Sequence, residues 1–283
     1  MSSSAASGRT SNTKASLLSD RAVIAVSGDD AREFLQGLIT NDIHKVVGNK
    51  AVFSALLSPQ GKFLYDFFII EHNHKLFLDV NKAFVADLIK RLTMYKLRSK
   101  VEIAEVPNMK IGVDWGSGVH IAATMFHGAV IYDDPRLRGL GVRAMGEHLM
   151  LKDNGEYEKH RLSLGVPEGG KDLVRDRSFP MQWGYDKLNA IDFNKGCYVG
   201  QEVTARTKHI GSVRKMVYKI QAASTLPDAG TPVMADEKEI GHMASSIGNI
   251  GLALLNIEVV ESSVPLYSGE VTIRANMSEW VLR

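Results

Sequence analysis

The sequence predicts an α+β fold that ends in a small β-barrel, and two patterns carry that expectation. Between residues 27 and 92, strand-like apolar runs alternate with segments of helical periodicity. Beyond Gly211, short alternating strands recur between Gly and Pro turns, the texture of a barrel closed from hairpins. At 283 residues the chain exceeds what one compact core usually serves, so two or three packed units are expected.

Taken in order, Ser27-Gly28-Asp29-Asp30 offers a capping box before a helix whose Phe34, Leu35 and Leu38 recur at helical spacing. Val52 to Leu57 and Lys62 to Ile70 read as two strands around the turn Ser58-Pro59-Gln60-Gly61, because Pro and Gly supply the dihedrals of a reversal. Leu76 to Val80 continues the sheet, and Asn81 caps a helix carrying Val85, Leu88 and Leu92. Short β-prone pieces follow at Lys110 to Val113, Val119 to Ala122, Ala129 to Tyr132 and Gly141 to Arg143, then a helix over Glu156 to Leu164 that Gly165-Val166-Pro167 breaks. Barrel strands are expected at Arg214 to Ala222, Thr231 to Met234, Lys238 to Ser245, Gly251 to Ile257 and Glu270 to Ala275. The organisation predicted is a flexible N-terminal tail over 1–18, an α+β region of two subdomains over 19–210, and the barrel domain over 211–283.

Composition narrows the function classes. A formal charge of +2 gives no global drive toward nucleic acid or an anionic membrane, so any basic patch must be local. No apolar run approaches the roughly 18 residues that span a bilayer, and no secretory signal is visible, so a membrane role is not expected. One cysteine forms no intrachain disulfide and supplies no four-thiolate metal site, which makes Cys197 a free thiol of a reducing compartment. The tail is rich in Ser, Ala and Thr and free of acids before residue 19, compatible with a transit peptide and equally with a plain extension.

The chemistry concentrates in one segment. Lys195, Arg206, Lys208, Arg214 and Lys215 stand against the single acid Glu202, the clearest anion-facing stretch of the chain. Cys197 precedes a segment, Gly200 to Thr207, of helical character, so nearby cations and a positive helix end would favour thiolate. The other reading of an isolated cysteine, a small buried hydrophobe, stays open beside the reactive one. Asp66 lies in the apolar strand Phe63 to Phe68, where an unpaired carboxylate is costly; either it meets a donor or the strand is an exposed edge.

Lys195-Gly196-Cys197-Tyr198-Val199-Gly200-Gln201-Glu202 resembles the K-G-C-Y-x-G-Q-E signature of the YgfZ/GcvT-like folate-binding family. The likeness continues through Val203 to Gly211 and Val213-Arg214-Lys215, where it is nearer to the mitochondrial-type iron-sulfur cluster assembly factor branch. Further stretches are similar to the same family, among them Phe34 to Asp42, Ser58 to Lys62, Tyr95 to Arg98, Gly165 to Gly169 and Ile240-Gly241-His242, so the resemblance covers the chain from about Arg21 onward.

That resemblance implies a ring of three subdomains like the glycine-cleavage T-protein, with tetrahydrofolate or a one-carbon derivative in a central hole. It implies Cys197 and Lys195 as the reactive pair, and Asp66, Glu168, Gln201, Glu202 and Arg206 as folate contacts, Arg206 suiting the glutamate tail because a guanidinium binds carboxylate through two hydrogen bonds. For Glu168 a solvated loop acid, and for Arg206 an ion pair with Glu202 one helical turn away, are the competing readings. No resident metal is implied. The partners implied are A-type iron-sulfur carrier proteins and client iron-sulfur enzymes, in the cytoplasm of a bacterium or the mitochondrial matrix of a eukaryote. A folate-dependent aminomethyl or one-carbon transferase is the rival activity, since kinship of fold does not carry activity, and a folate-dependent accessory to RNA modification is a third.

Overall fold

The computed structural model describes residues 14–116, 126–209, 211 and 213–282. Three sheets organise them. The first holds five antiparallel strands, β2 (Arg21–Ser27), β3 (Val52–Leu57), β4 (Phe63–His72), β5 (Lys75–Asn81) and β6 (Glu102–Glu105), in the order β3-β4-β5-β2-β6. In β4 every residue from Phe63 to Ile70 is buried, as an interior strand covered on both faces requires. The β3-β4 reversal falls on Ser58 to Gly61, where Gly61 takes φ +73°. Helices α1 (Ala31–Gln36) and α2 (Val85–Lys96) belong to this unit, and α2 buries Val85, Leu88 and Leu92 at helical spacing.

Two expectations change here. Asp30 makes no side-chain cap; its Oδ2 accepts the Lys100 N–H at 2.7 Å, tying the start of α1 to the chain leaving α2. Asn81 does cap, accepting the Ala83 N–H, but it caps a 3₁₀ turn over Lys82–Phe84 that leads into α2.

The second sheet orders β1 (Ala15–Leu17), β7 (Lys110–Asp114), β9 (Val142–Gly146) and β8 (Val130–Asp133) as β1-β7-β9-β8. Residues 15–17, expected as part of the tail, are instead a strand: Ala15 and Ser16 are buried, and Ser16 lies opposite Val113 in an antiparallel ladder. The strand expected at Val119 to Ala122 lies outside the described residues. Helix α3 (Glu156–Leu164) starts and stops where the sequence indicated, closed by Gly165 at φ +73°.

The third sheet is a closed barrel of six strands, β10 (Lys215–Ala222), β13 (Ile250–Asn256), β12 (Lys238–Ile247), β11 (Pro232–Ala235), β14 (Leu266–Ser268) and β15 (Val271–Asn276), named in order around the barrel. Closure removes the edges that hairpins alone would expose. The three-residue β14 and the one-turn helix α5 (Ile257–Glu261) were too short to show a period in the sequence. One continuous core links the first two sheets to the outside of the barrel through Val217, Leu252, Leu254 and Trp280. The Trp280 indole N–H donates to the Leu164 carbonyl at 3.0 Å, so the C-terminal segment seals against α3.

Candidate functional site

Cys197 is exposed and unbridged at the turn before helix α4 (Gln201–His209). Of the two readings of this cysteine, burial as a small hydrophobe is excluded.

The loop that carries it is strapped to the chain after α1. The Thr40 hydroxyl donates to the Ala190 carbonyl at 2.7 Å, the Asn41 amide to the Asn189 carbonyl at 2.7 Å, and the Asp192 N–H to the Thr40 carbonyl at 3.0 Å. Lys45 closes the strap through an ion pair to Asp192 at 2.7 Å. Lys195 then spends its whole donor capacity on backbone: its Nζ binds the carbonyls of Gln36, Ile39 and Asn41 at 2.7, 2.6 and 2.9 Å. An ammonium has three N–H groups, so none remains for the neighbouring thiol. Those carbonyls belong to the frayed end of α1 and the turn behind it, groups a helix end leaves without partners. Burial draws the Lys195 pKa down to about 8, against the pull of Asp42 and Asp192. Lys195, expected as half of a reactive pair, is thus bound to backbone and anchors the loop that carries Cys197.

Two glycines explain the motif around α4. Gly200 takes φ +83°, and a Cβ there would stand 2.5 Å from the Ser58 carbonyl oxygen; a Cβ on Gly61 would stand 2.8 Å from Cβ of Val203. The Ser58-Pro59-Gln60-Gly61 turn and the signature segment, far apart in sequence, are therefore one contact. Gln201 turns back to accept the Tyr198 N–H at 3.2 Å, while Glu202 and Arg206 lie exposed on α4. Among the described residues these two make no ion pair with each other.

Asp66 and Glu168 are brought together, but in the interior. Asp66 is 1% exposed, in the second strand of its sheet, so the exposed-edge reading fails. Its Oδ2 accepts the Tyr185 hydroxyl at 2.7 Å and the Gly169 N–H at 2.9 Å, and Oδ1 has no hydrogen-bond partner. A side chain on Gly169 would collide with that carboxylate, so the backbone of the loop itself closes over it. Burial raises the Asp66 pKa against the opposing charge of Arg21 and the Tyr185 bond. Glu168, far from being a solvated loop acid, is buried and paired with Arg21 at 3.2 Å. Burial would raise its carboxyl, but Lys171, Arg21 and Arg161 together hold it far below the usual carboxylate range.

Behind these acids runs an ionic network absent from the sequence expectations. Asp79 binds Arg21 at 2.7 Å and Arg143 at 2.6 Å, and Arg161 binds Asp172 at 2.6 Å and also Glu158. Arg136 clasps Asp134 at 2.8 Å, and its guanidinium lies 4.8 Å from the Phe68 ring centre. All of the arginines are buried, and each is paired, as buried charge demands.

A hollow of about 760 Å³ opens where the first two sheets meet the strap. Asn41, Lys45, Asn49, Lys50, Phe53, Asp133 and Asn189 line it with Pro135 and Ile191. Its size suits a heteroaromatic ligand. Asp133 supplies a carboxylate for paired N–H donors, Lys50 a cation for a carboxylate, and Phe53 an apolar wall; this donor set fits a pterin with its tail. None of Asp66, Glu168, Gln201, Glu202, Arg206 and Cys197 lines it. The sequence signal for it was present in Thr40-Asn41-Asp42 and in the charged run Asp133-Asp134-Pro135-Arg136, which composition alone gave no reason to join.

Comparison with known proteins places this architecture. Residues 214–282 match the family model of the CAF17 C-terminal β-barrel domain. The human iron-sulfur cluster assembly factor IBA57, mitochondrial, is 30% identical over 298 residues, covering 93% of this chain and 84% of that protein. A homolog of that factor from Pyricularia oryzae is 32% identical over 280 residues, covering 86% and 72%. The crystal structure of the glycine cleavage system aminomethyltransferase T from Bartonella henselae aligns with a TM-score of 0.77 at 14% identity, over 95% of this chain and 86% of that one. The expected T-protein-like α+β architecture with its terminal barrel is the fold of this chain.

Proposed function

The chain belongs to the IBA57 family of iron-sulfur cluster assembly factors, and from that premise we propose that it is itself such a factor, offering Cys197 to a cluster carried by a partner. The observation that carries the reading is the exposed, unbridged thiol on a loop held by the triple Lys195 anchor. A cluster needs about four soft ligands, and one sulfur supplies one, so the rest come from the partner, an A-type carrier protein in our reading. The step is ligand exchange: an iron-thiolate bond to Cys197 forms as a carrier ligand leaves, the thiol proton passes to solvent, and no electron is transferred. Client iron-sulfur enzymes are the destination, and the mitochondrial designation of the eukaryotic relatives supports a matrix location for this activity.

Tetrahydrofolate, or a one-carbon derivative, is the ligand we assign to the 760 Å³ hollow. When bound it would supply a one-carbon carrier or a redox-active pterin; Asp133 would orient its ring and Lys50 its tail. The strap supports a link between the two sites, since Asn41 and Asn189 both line the hollow and lie in the strap that leads to Cys197.

The deciding experiment is rescue of a deletion strain by wild type, Cys197→Ala and Cys197→Ser, read as the activities of several iron-sulfur enzymes. Loss in both variants, with the proteins stably present, supports cluster handling by the thiol. Full rescue by Cys197→Ala, together with release of methylenetetrahydrofolate from an aminomethylated carrier by the purified protein, would instead establish the one-carbon transferase.

A further inference from the structure

Helix α2 turns Val85, Leu88 and Leu92 to the core and leaves Lys90 and Met94 exposed on the opposite face. That stripe runs on past the helix end, where Leu97 and Arg98 are exposed as well. Met94 is 70% exposed and Leu97 89%, two large apolar side chains that the fold leaves uncovered. Tyr95 to Arg98, a stretch similar to the family, does not line the 760 Å³ hollow.

Leu97 also holds a backbone that leucine disfavours, φ +46° and ψ −106°, at a helix end where a positive φ ordinarily falls to glycine. Two contacts keep it there. The Ser99 N–H donates across it to the Lys96 carbonyl at 2.8 Å, and the Lys100 N–H donates to Asp30 Oδ2 at 2.7 Å. Backbone strain that aims a leucine at solvent is not repaid by burial, which points to a use outside the fold.

Cations flank the two apolar side chains. Lys90 and Arg98 are exposed, Arg91 and Lys96 half-buried, and among the described residues none of the four makes an ion pair. The nearby acids are engaged: Asp87 by Arg175 at 2.8 Å, Asp29 by Lys100 at 4.0 Å, and Asp30 by the Lys100 N–H. The helix dipole accounts for cations in the last turn, but not for Lys90 and Arg91 at mid-helix.

We propose that this face of α2 adsorbs to an anionic bilayer, Met94 and Leu97 entering the headgroup layer while the flanking cations meet lipid phosphates. Among the described residues no helix is long and apolar enough to cross a membrane, but lying on one requires no span. A bilayer suits the patch better than a protein surface does. The apolar side chains protrude, and a soft, negatively charged layer accepts protruding side chains without a shaped pocket.

The test is co-sedimentation of the full chain with vesicles of phosphatidylcholine, alone or mixed equally with phosphatidylglycerol. Wild type is expected to bind the mixed vesicles at least about tenfold more tightly than the neutral ones. Lys90→Gln/Arg98→Gln should lose about tenfold on the mixed vesicles, and Met94→Gln/Leu97→Gln a similar factor. Leu97→Gly separates binding from folding, because glycine relieves the backbone: its urea midpoint should not fall while its vesicle binding drops severalfold. Equal binding to neutral and anionic vesicles overturns the proposal, as does binding unchanged by these substitutions. No binding to either vesicle overturns it too; if Met94→Gln/Leu97→Gln then also fails to restore iron-sulfur enzyme activity in the deletion strain, the face belongs to an acidic protein partner instead.

Discussion

The Lys195 ammonium binds the Asn41 carbonyl at 2.9 Å, while the Asn41 side-chain amide donates back across the strap to the Asn189 carbonyl at 2.7 Å. One asparagine therefore ties the cysteine loop from both ends, and it does so in the wall of the 760 Å³ hollow.

Replacing that ammonium with a chain of similar length isolates its role. Lys195→Met leaves the carbonyls of Gln36, Ile39 and Asn41 without their donor, for an expected cost of about 2–3 kcal/mol in urea denaturation. Amide exchange should quicken in residues 36–41 and 190–198 and not in the barrel. Lys195→Arg should rescue poorly, because a planar fork does not converge on three carbonyls as an ammonium does. Exchange spread evenly over the chain would contradict a local anchor.

Gly200→Ala probes the contact between the signature and the Ser58 turn. The new methyl meets the Ser58 carbonyl oxygen at 2.5 Å in a left-handed conformation, so both sterics and backbone oppose it. The loss expected is about 2–3 kcal/mol. Gly196→Ala, in open space one residue before Cys197, should cost under about 0.5 kcal/mol by the same denaturation measurement.

These two positions show how far the sequence could be read. The hairpin, α3, and five of the barrel strands were legible because each has its own period and its own Gly or Pro punctuation. Cys197 stood out as the lone thiol, and its exposure was one of two open readings. What stayed hidden is whatever depends on partners distant in the chain. Lys195 looks like a cation beside a thiol until the Gln36 to Asn41 carbonyls are seen around it. Asp66 and Glu168 look like free ligand acceptors until Tyr185, Gly169 and Arg21 are placed on them. Helical character was expected over Gly200 to Thr207, but no local pattern says that Gly200 lies on Ser58.

The two buried aspartates of the first sheet should respond unequally to amidation. Asp79 is ionised between Arg21 and Arg143, which overcome the effect of burial and lower its pKa. Asp79→Asn takes from two buried guanidinium groups the carboxylate they share, leaving Arg21 with Glu168 and Arg143 with Asp134, and should cost about 3 kcal/mol at pH 7. Asp66 bears a carboxylate that burial already disfavours, so Asp66→Asn should cost clearly less. Equal losses in thermal denaturation would mean that the Arg21 charge stabilises both acids alike.

The same assignments fix the pH dependence. Glu168 and Asp79 have folded pKa values below their unfolded ones, near 4.3 and 3.9, so the unfolded chain binds more protons just below pH 4.5. Their contribution is complete above about pH 5 and disappears as pH falls through the lowered folded values. Asp66 has the opposite sign: its raised folded pKa adds stability in acid that fades as pH rises through that value. Two lowered acids outweigh one raised acid, so urea midpoints should fall steadily from pH 5 to pH 3. Glu168→Gln, which takes one of their carboxylates from Arg21 and Lys171, should be destabilised at pH 7 and show a shallower acid slope than wild type. A slope unchanged by that substitution would mean that the Glu168 carboxyl titrates alike in the folded and unfolded chain, and that the Arg21 pair contributes nothing to acid sensitivity.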